Sequence, residues 1–124
     1  DVDTDLRAKA AAALQLLASN DFVLAHFNGS DEASHRYDYA AKAAFITKID
    51  QEFLQPLTSR LQEPVKVIVC GDHVTSPVTG KHGDGCTPVV AGYLRSNLLQ
   101  EKKSTRGQPQ NYHQILNFLT KESD

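Results

Sequence analysis

Apolar positions in this chain fall into blocks whose spacing switches between helical and extended. Leu6, Ala10, Ala13, Leu14 and Leu17 recur at helical intervals within an alanine-rich run. Asp3 or Thr4 can cap that helix, with Asp5 in its first turn, and Ser19-Asn20-Asp21 ends it. Phe22 to Phe27 is an apolar run with aromatic and β-branched members, too short for a helix, and predicts a buried strand. Asn28-Gly29-Ser30-Asp31 has turn chemistry. From about Asp38 a second helix is predicted, with Tyr39, Ala43, Ile46, Ile49 and Phe53 on one face. Pro56 either ends it or opens a further turn at its first position.

Val65 to Cys70 is the clearest strand signal, apolar throughout except for Lys66. A glycine-rich loop follows to Gly85, and Thr87 to Tyr93 predicts a third strand, with Pro88 at its start or on a sheet edge. Residues 101–110 (EKKSTRGQPQ) form a polar loop. Asn111 to Thr120 predicts a short helix with Ile115, Leu116 and Leu119 inward. Helix, strand, helix and strand in alternation predict an α/β fold with helices packed on a mostly parallel sheet. In such sheets ligands bind beyond the carboxyl ends of the strands. Both polar clusters, "NGSDEASHRYD" and "CGDHVTSPVTGKHGD", follow a strand's carboxyl end, so both are expected on one rim.

Composition narrows the function classes. The chain has 124 residues, 40% of them hydrophobic, which suits one domain with a core. Thirteen basic and fifteen acidic residues give a net charge of -2 without a long charge block. That argues against a nucleic-acid or anionic-membrane partner held by bulk electrostatics. No apolar run approaches the roughly 20 residues that span a bilayer, and the charged start is no signal peptide. Cys70 and Cys86 form neither a disulfide framework nor a CxxC clip. They read as reduced thiols of a cytosolic protein, with Cys70 a small buried strand residue. The absence of methionine predicts that Asp1 is not a natural start and that the chain is a piece of something longer.

The rim carries Asp31, His35, Asp72, His73 and His82. Carboxylate oxygen and imidazole nitrogen are the donors that divalent cations such as zinc, manganese or cobalt accept. Asp31 and His35 are four apart, so a helical turn puts them on one face. Asp72 and His73 are adjacent and would diverge in extended chain. Either the backbone turns there or the two serve different metals. Two metals roughly 3.5–4 Å apart make the usual clamp for phosphoryl transfer.

Several stretches together resemble a known family. "DVDTDLRAKAAAALQLLASNDFVLAHFNGSDEASH", "YDYAAKAAFITKIDQEFLQPL" and "VIVCGDHVTSPVTGKHGDGCTPVVAGY" look like the carboxyl-terminal part of the cofactor-independent phosphoglycerate mutases, archaeal and bacterial type, of the alkaline phosphatase superfamily. The resemblance runs from about Asp3 to Tyr93. It rests on Val2-Asp3-Thr4-Asp5, Asp21-Phe22-Val23 with His26, Asp31-Glu32 with His35, Lys42 with Ile46, Ile49 and Asp50, and Gly71-Asp72-His73. It implies a partial alkaline-phosphatase-like fold, with residues 1–124 as the metal-binding carboxyl-terminal portion of a larger phosphomutase domain. It also implies two divalent metal ions (Mn, Zn, Co or Mg), Asp31, His35 and His82 on one and Asp72 and His73 on the other. Further implications are a phosphoglycerate substrate, a phosphoserine intermediate in glycolysis, a cytoplasmic location, and a missing amino-terminal part of the same enzyme that carries the nucleophilic serine.

This sequence departs from the family in "DHVTSP", one residue longer than the family's "DHSTP", and in "HGDGCTP" where the family has "HSADPVP". Ser30, Ser34 and Ser76 lie near the rim, each in turn chemistry where serine is expected anyway. Lys42 and Arg36 are candidate phosphate contacts, the second by a bidentate guanidinium pairing. His26 reads as a hydrogen-bonded, half-buried imidazole and His113 as a surface residue. Two other readings stay open. One is a different phosphohydrolase of the same superfamily; the other is a non-catalytic metal-binding module.

Overall fold

The computed structural model describes residues 5–95 together with Asn117 and Leu119. Helix α1 spans Leu6–Leu17, α2 Gly29–His35 and α3 Tyr39–Ile49. A π turn over Asp50–Leu54 leads into α4, Gln55–Arg60. Strands follow at Val65–Cys70 (β1), Val74–Thr75 (β2), His82–Gly83 (β3) and Val89–Leu94 (β4). The expected polar loop over 101–110 lies outside the described residues. So does most of the expected helix over 111–120, of which Asn117 and Leu119 are helical.

Caps decide where the helices begin. Asp5, rather than a residue before it, caps α1: its Oδ1 accepts the Ala8 N–H at 3.0 Å. Asp38 does the same for α3 through Ala41 N–H at 2.9 Å. Leu6, Ala10 and Ala13 are buried, as their spacing predicts, and they share a core with Phe45, Phe53 and Leu57. Leu14 and Leu17 pack against it.

The predicted face of the second helix is corrected. Tyr39 and Ile46 are largely exposed, and Phe45 is the buried residue of α3. The π turn explains the error. Pro56 has no N–H to return to Glu52, and its ring would strike that carbonyl in a regular helix. The chain widens instead, with Gln55 N–H bonded five residues back to Asp50 O. Inward positions before and after the turn therefore fall out of a single helical phase. Pro56 sits in the first turn of α4.

Asn28 to Asp31 is not a simple turn but the entry to α2, with Asn28 as cap and Asp31 and Glu32 in the first turn. Gly29 lets α2 seat closely on α3. A Cβ there would stand 2.6 Å from the Phe45 ring, which is buried and cannot retreat.

The largest correction concerns the sheet. β1 pairs with β4 in antiparallel register, Val65 opposite Leu94 through Cys70 opposite Val89. β2 and β3 form a second antiparallel pair, Val74 opposite Gly83 and Thr75 opposite His82. No helix crosses over between β1 and β4. The loop that joins them turns the chain straight back, and such a reversal makes antiparallel neighbours. Residues 22–27 belong to no helix or strand. Val23, Ala25 and Phe27 still face the core while Phe22 and Leu24 face out, so the period of two is present without a ladder. A groove of about 390 Å³ runs between this stretch and α1, lined by Ala12, Ala13, Leu16, Val23 and Leu24.

Cys70, expected inside, is exposed, as is Cys86; both are free thiols. Cys70 closes β1, whose last two residues are exposed, and among the described residues no layer covers that end of the ladder. Among the described residues no helix is long and apolar enough to cross a membrane.

Candidate metal centre

Asp31 and His35 lie one turn apart on α2, and the short helix brings His35 Nε2 to 3.3 Å from Asp31 Oδ2. The β2–β3 hairpin carries the second polar cluster to the same place. His82 Nε2, on β3, stands 3.2 Å from His35 Nε2 and 3.6 Å from Asp31 Oδ1. The His73 ring stacks on that of His82 with centroids 3.8 Å apart. Asp72 lies alongside, its Oδ1 3.6 Å from His73 Nε2, with its side chain 75% exposed. The same Oδ1 accepts the His73 N–H at 3.0 Å, an Asx contact that turns the backbone. Adjacent residues can therefore serve one side of the site. Side chains from α2, from the end of β1 and from β3 thus meet at one rim.

The two expected ligand sets lie side by side, close enough for two cations about 3.5–4 Å apart. Asp31, His73 and His82 offer ligand atoms within 4.8 Å of one another, so His73 adjoins the group containing Asp31 as well as Asp72.

Hydrogen bonding decides which imidazole nitrogens face the centre. His35 Nδ1 lies 2.7 Å from Gly80 O, and a carbonyl only accepts, so Nδ1 carries a proton and, in the neutral imidazole, Nε2 is bare. The Thr75 hydroxyl donates to Asp31 Oδ1 at 2.5 Å, and its oxygen lies 3.0 Å from His73 Nδ1. The hydroxyl has one proton, so His73 Nδ1 is the donor in that contact and its Nε2 too is bare. Burial raises the Asp31 carboxyl pKa. The Thr75 hydrogen bond and the nearby His35, His73 and His82 outweigh it and hold the carboxyl below its ordinary value. The ionised form contributes stability above the ordinary carboxylate pKa, and that contribution is lost as pH falls through the lowered one.

These residues fit a divalent cation. Ligands at about 2.0–2.1 Å in a tetrahedral shell stand about 3.3 Å apart, and the closest separations here are 3.2 and 3.3 Å. A carboxylate and imidazole nitrogens without protons are the donor set such an ion takes.

Other expected residues have different surroundings. Lys42 Nζ donates to Thr75 O at 2.7 Å and so braces β2. Arg36 is exposed and closes α2 immediately after His35. His26 is exposed rather than half-buried, because the period of two turns it outward. Its carbonyl accepts from Lys9 at 2.7 Å. His113 lies outside the described residues. Ser34 is fully buried and donates to Ser30 O, and Ser76 Oγ accepts the Val78 N–H, closing the turn before Gly80.

Sequence reasoning missed Thr75, Gly80 and Tyr37. Thr75 had a usable signal: two residues beyond His73 in extended chain, it shares that histidine's face. Gly80 has φ +68, and a Cβ there would lie 2.8 Å from the ring of Tyr37, itself at φ 60. This contact holds the carbonyl that fixes His35. Gly80→Ala is expected to cost about 1–3 kcal/mol, read as a lower urea midpoint. An unchanged midpoint would show that the loop does not need glycine.

A group of carboxylate and imidazole side chains that could hold a metal ion, on a helix-and-strand rim, points to a class. The sequence profile described as "Metalloenzyme superfamily" matches residues 1–111, and the chain belongs to that family. It is 38% identical over 90 residues to the 2,3-bisphosphoglycerate-independent phosphoglycerate mutase of Methanopyrus kandleri, covering 71% of this chain and 21% of that one. The same enzyme of Methanococcus aeolicus is 37% identical over 87 residues, 70% and 21% of the two chains. That of Saccharolobus islandicus is 33% identical over 89, 72% and 22%. The chain thus spans about a fifth of the length of these relatives. No solved structure gives a significant match.

Proposed function

We propose that this chain is the metal-binding carboxyl-terminal portion of a cytoplasmic, cofactor-independent phosphoglycerate mutase that interconverts 3- and 2-phosphoglycerate in glycolysis. The carrying observation is the convergence of Asp31, His35, His73 and His82, imidazole nitrogens and a carboxylate at ligand spacing. The similarity to named mutases supports the substrate.

In this reading Asp31, His35 and His82 hold one divalent cation, and Asp72 and His73 a second. Held there, the cations would supply charge neutralisation for the phosphoryl group and activation of a serine nucleophile from the amino-terminal part of the enzyme. The residues of this chain fix the cations and orient the phosphate. Arg36 stands beside His35 as a bidentate phosphate contact, and Lys42 keeps two further N–H donors beyond the one given to Thr75.

The test compares this chain alone with the same chain joined to the upstream sequence of its natural reading frame, using 3-phosphoglycerate and Mn²⁺. The chain alone is expected to bind Mn²⁺ weakly without turnover, and the joined protein to form 2-phosphoglycerate. Turnover by the 124 residues alone would contradict the assignment of the nucleophile. A joined protein that hydrolyses phosphate esters but makes no 2-phosphoglycerate would favour the phosphohydrolase reading. One with no turnover at all would favour a metal-binding module.

A further inference from the structure

We propose that Thr75 is the positioning residue that ties the ligand groups into one centre, a role that rests on the metal reading above. Its hydroxyl proton goes to Asp31 Oδ1 and its oxygen takes the N–H of His73 Nδ1. That leaves His73 Nε2 as the nitrogen free to coordinate. Thr75 is also the cross-strand partner of His82. One buried side chain, 5% exposed, therefore orders ligands from three separated segments.

The surroundings hold Thr75 itself in place. Its carbonyl accepts from the half-buried Lys42 ammonium at 2.7 Å, so α3 anchors β2 from behind. A threonine has one hydroxyl proton and two lone pairs, and here proton and oxygen are both used. An ionised Asp31 can only accept, which fixes the direction of the whole relay from His73 through Thr75 to Asp31. Partners of this kind set the tautomer and orientation of a histidine ligand, and their loss typically weakens metal binding about 10–100-fold.

The decisive comparison is Thr75→Val, which keeps shape and removes the hydroxyl, against Thr75→Ser, which keeps the hydroxyl. Two readouts are taken on the 124-residue chain. The first is Mn²⁺ affinity by titration calorimetry. The second is the His73 tautomer, from long-range proton–nitrogen NMR without metal, at a pH where the imidazoles are neutral. Thr75→Val is expected to weaken Mn²⁺ binding by about 10–100-fold and to release His73 from the Nδ1–H form, with Thr75→Ser close to wild type in both. Thr75→Val with wild-type affinity, or with His73 still wholly Nδ1–H, would overturn the proposal. Should Thr75→Val fail to fold, Thr75→Ala is read by the same two measures and judged by the same outcomes. A wild-type chain that binds no Mn²⁺, Zn²⁺ or Co²⁺ would sink the functional reading, whereas the tautomer comparison would still decide the part played by Thr75.

Discussion

Replacing Asp31 by asparagine is expected to weaken divalent-metal binding on the order of a hundredfold or more, while the far-ultraviolet circular dichroism stays that of the folded chain. The change keeps the side chain's size and removes its charge. Asp31 is placed against both His35 and His82 and bonded to Thr75. Loss of an outer-shell partner alone typically costs about 10–100-fold, and a carboxylate in contact with the ion should cost no less. Asp72 makes the informative control. Its side chain is 75% exposed, with Oδ1 3.6 Å from His73 Nε2, against 25% for Asp31, so Asp72→Asn is expected to weaken binding less than Asp31→Asn. Equal, small losses from both, measured by calorimetry with Mn²⁺, would mean that the ion sits elsewhere.

The second large effect is on stability. Phe53 is 5% exposed, lies in the π turn, and packs edge-on to Phe27 with centroids 4.8 Å apart. It joins the 22–27 stretch to the helical layer. Phe53→Ala should cost about 3–5 kcal/mol through lost burial and the cavity left behind. In a chain of this size that lowers Tm by on the order of 10 °C. Phe53→Leu should cost markedly less, since it keeps most of the volume. Equal melting curves for wild type and Phe53→Ala would remove Phe53 from the core.

Much of this architecture is legible from residue order alone. β1 was readable because Val65 to Cys70 is apolar except for Lys66, and α1 because Leu6, Ala10 and Ala13 keep helical phase to the end. The rim residues were readable because carboxylates and imidazoles gathered after two apolar runs have few other uses. The face of α3 was not readable, since its phase depends on how the backbone absorbs Pro56 four residues beyond Glu52. Nor was the antiparallel pairing of β1. Local spacing says that a segment is extended but not which neighbour it finds, and the turn at Ser76 to Gly80 sends the chain back beside it. Thr75 acts through its hydroxyl on a histidine's far nitrogen and was traceable only by the face it shares with His73, whereas Gly80 acts through a carbonyl that no residue pattern advertises.

The stretch from Phe22 to Phe27 has a further consequence. Its core-facing residues are already seated, yet the flank carrying Phe22 and Leu24, 56% and 79% exposed, turns apolar surface outward. Such a flank favours association. In a concentrated solution of this chain by itself, a second molecule's equivalent stretch is the nearest match, so solubility hinges on what fills that flank before another copy does.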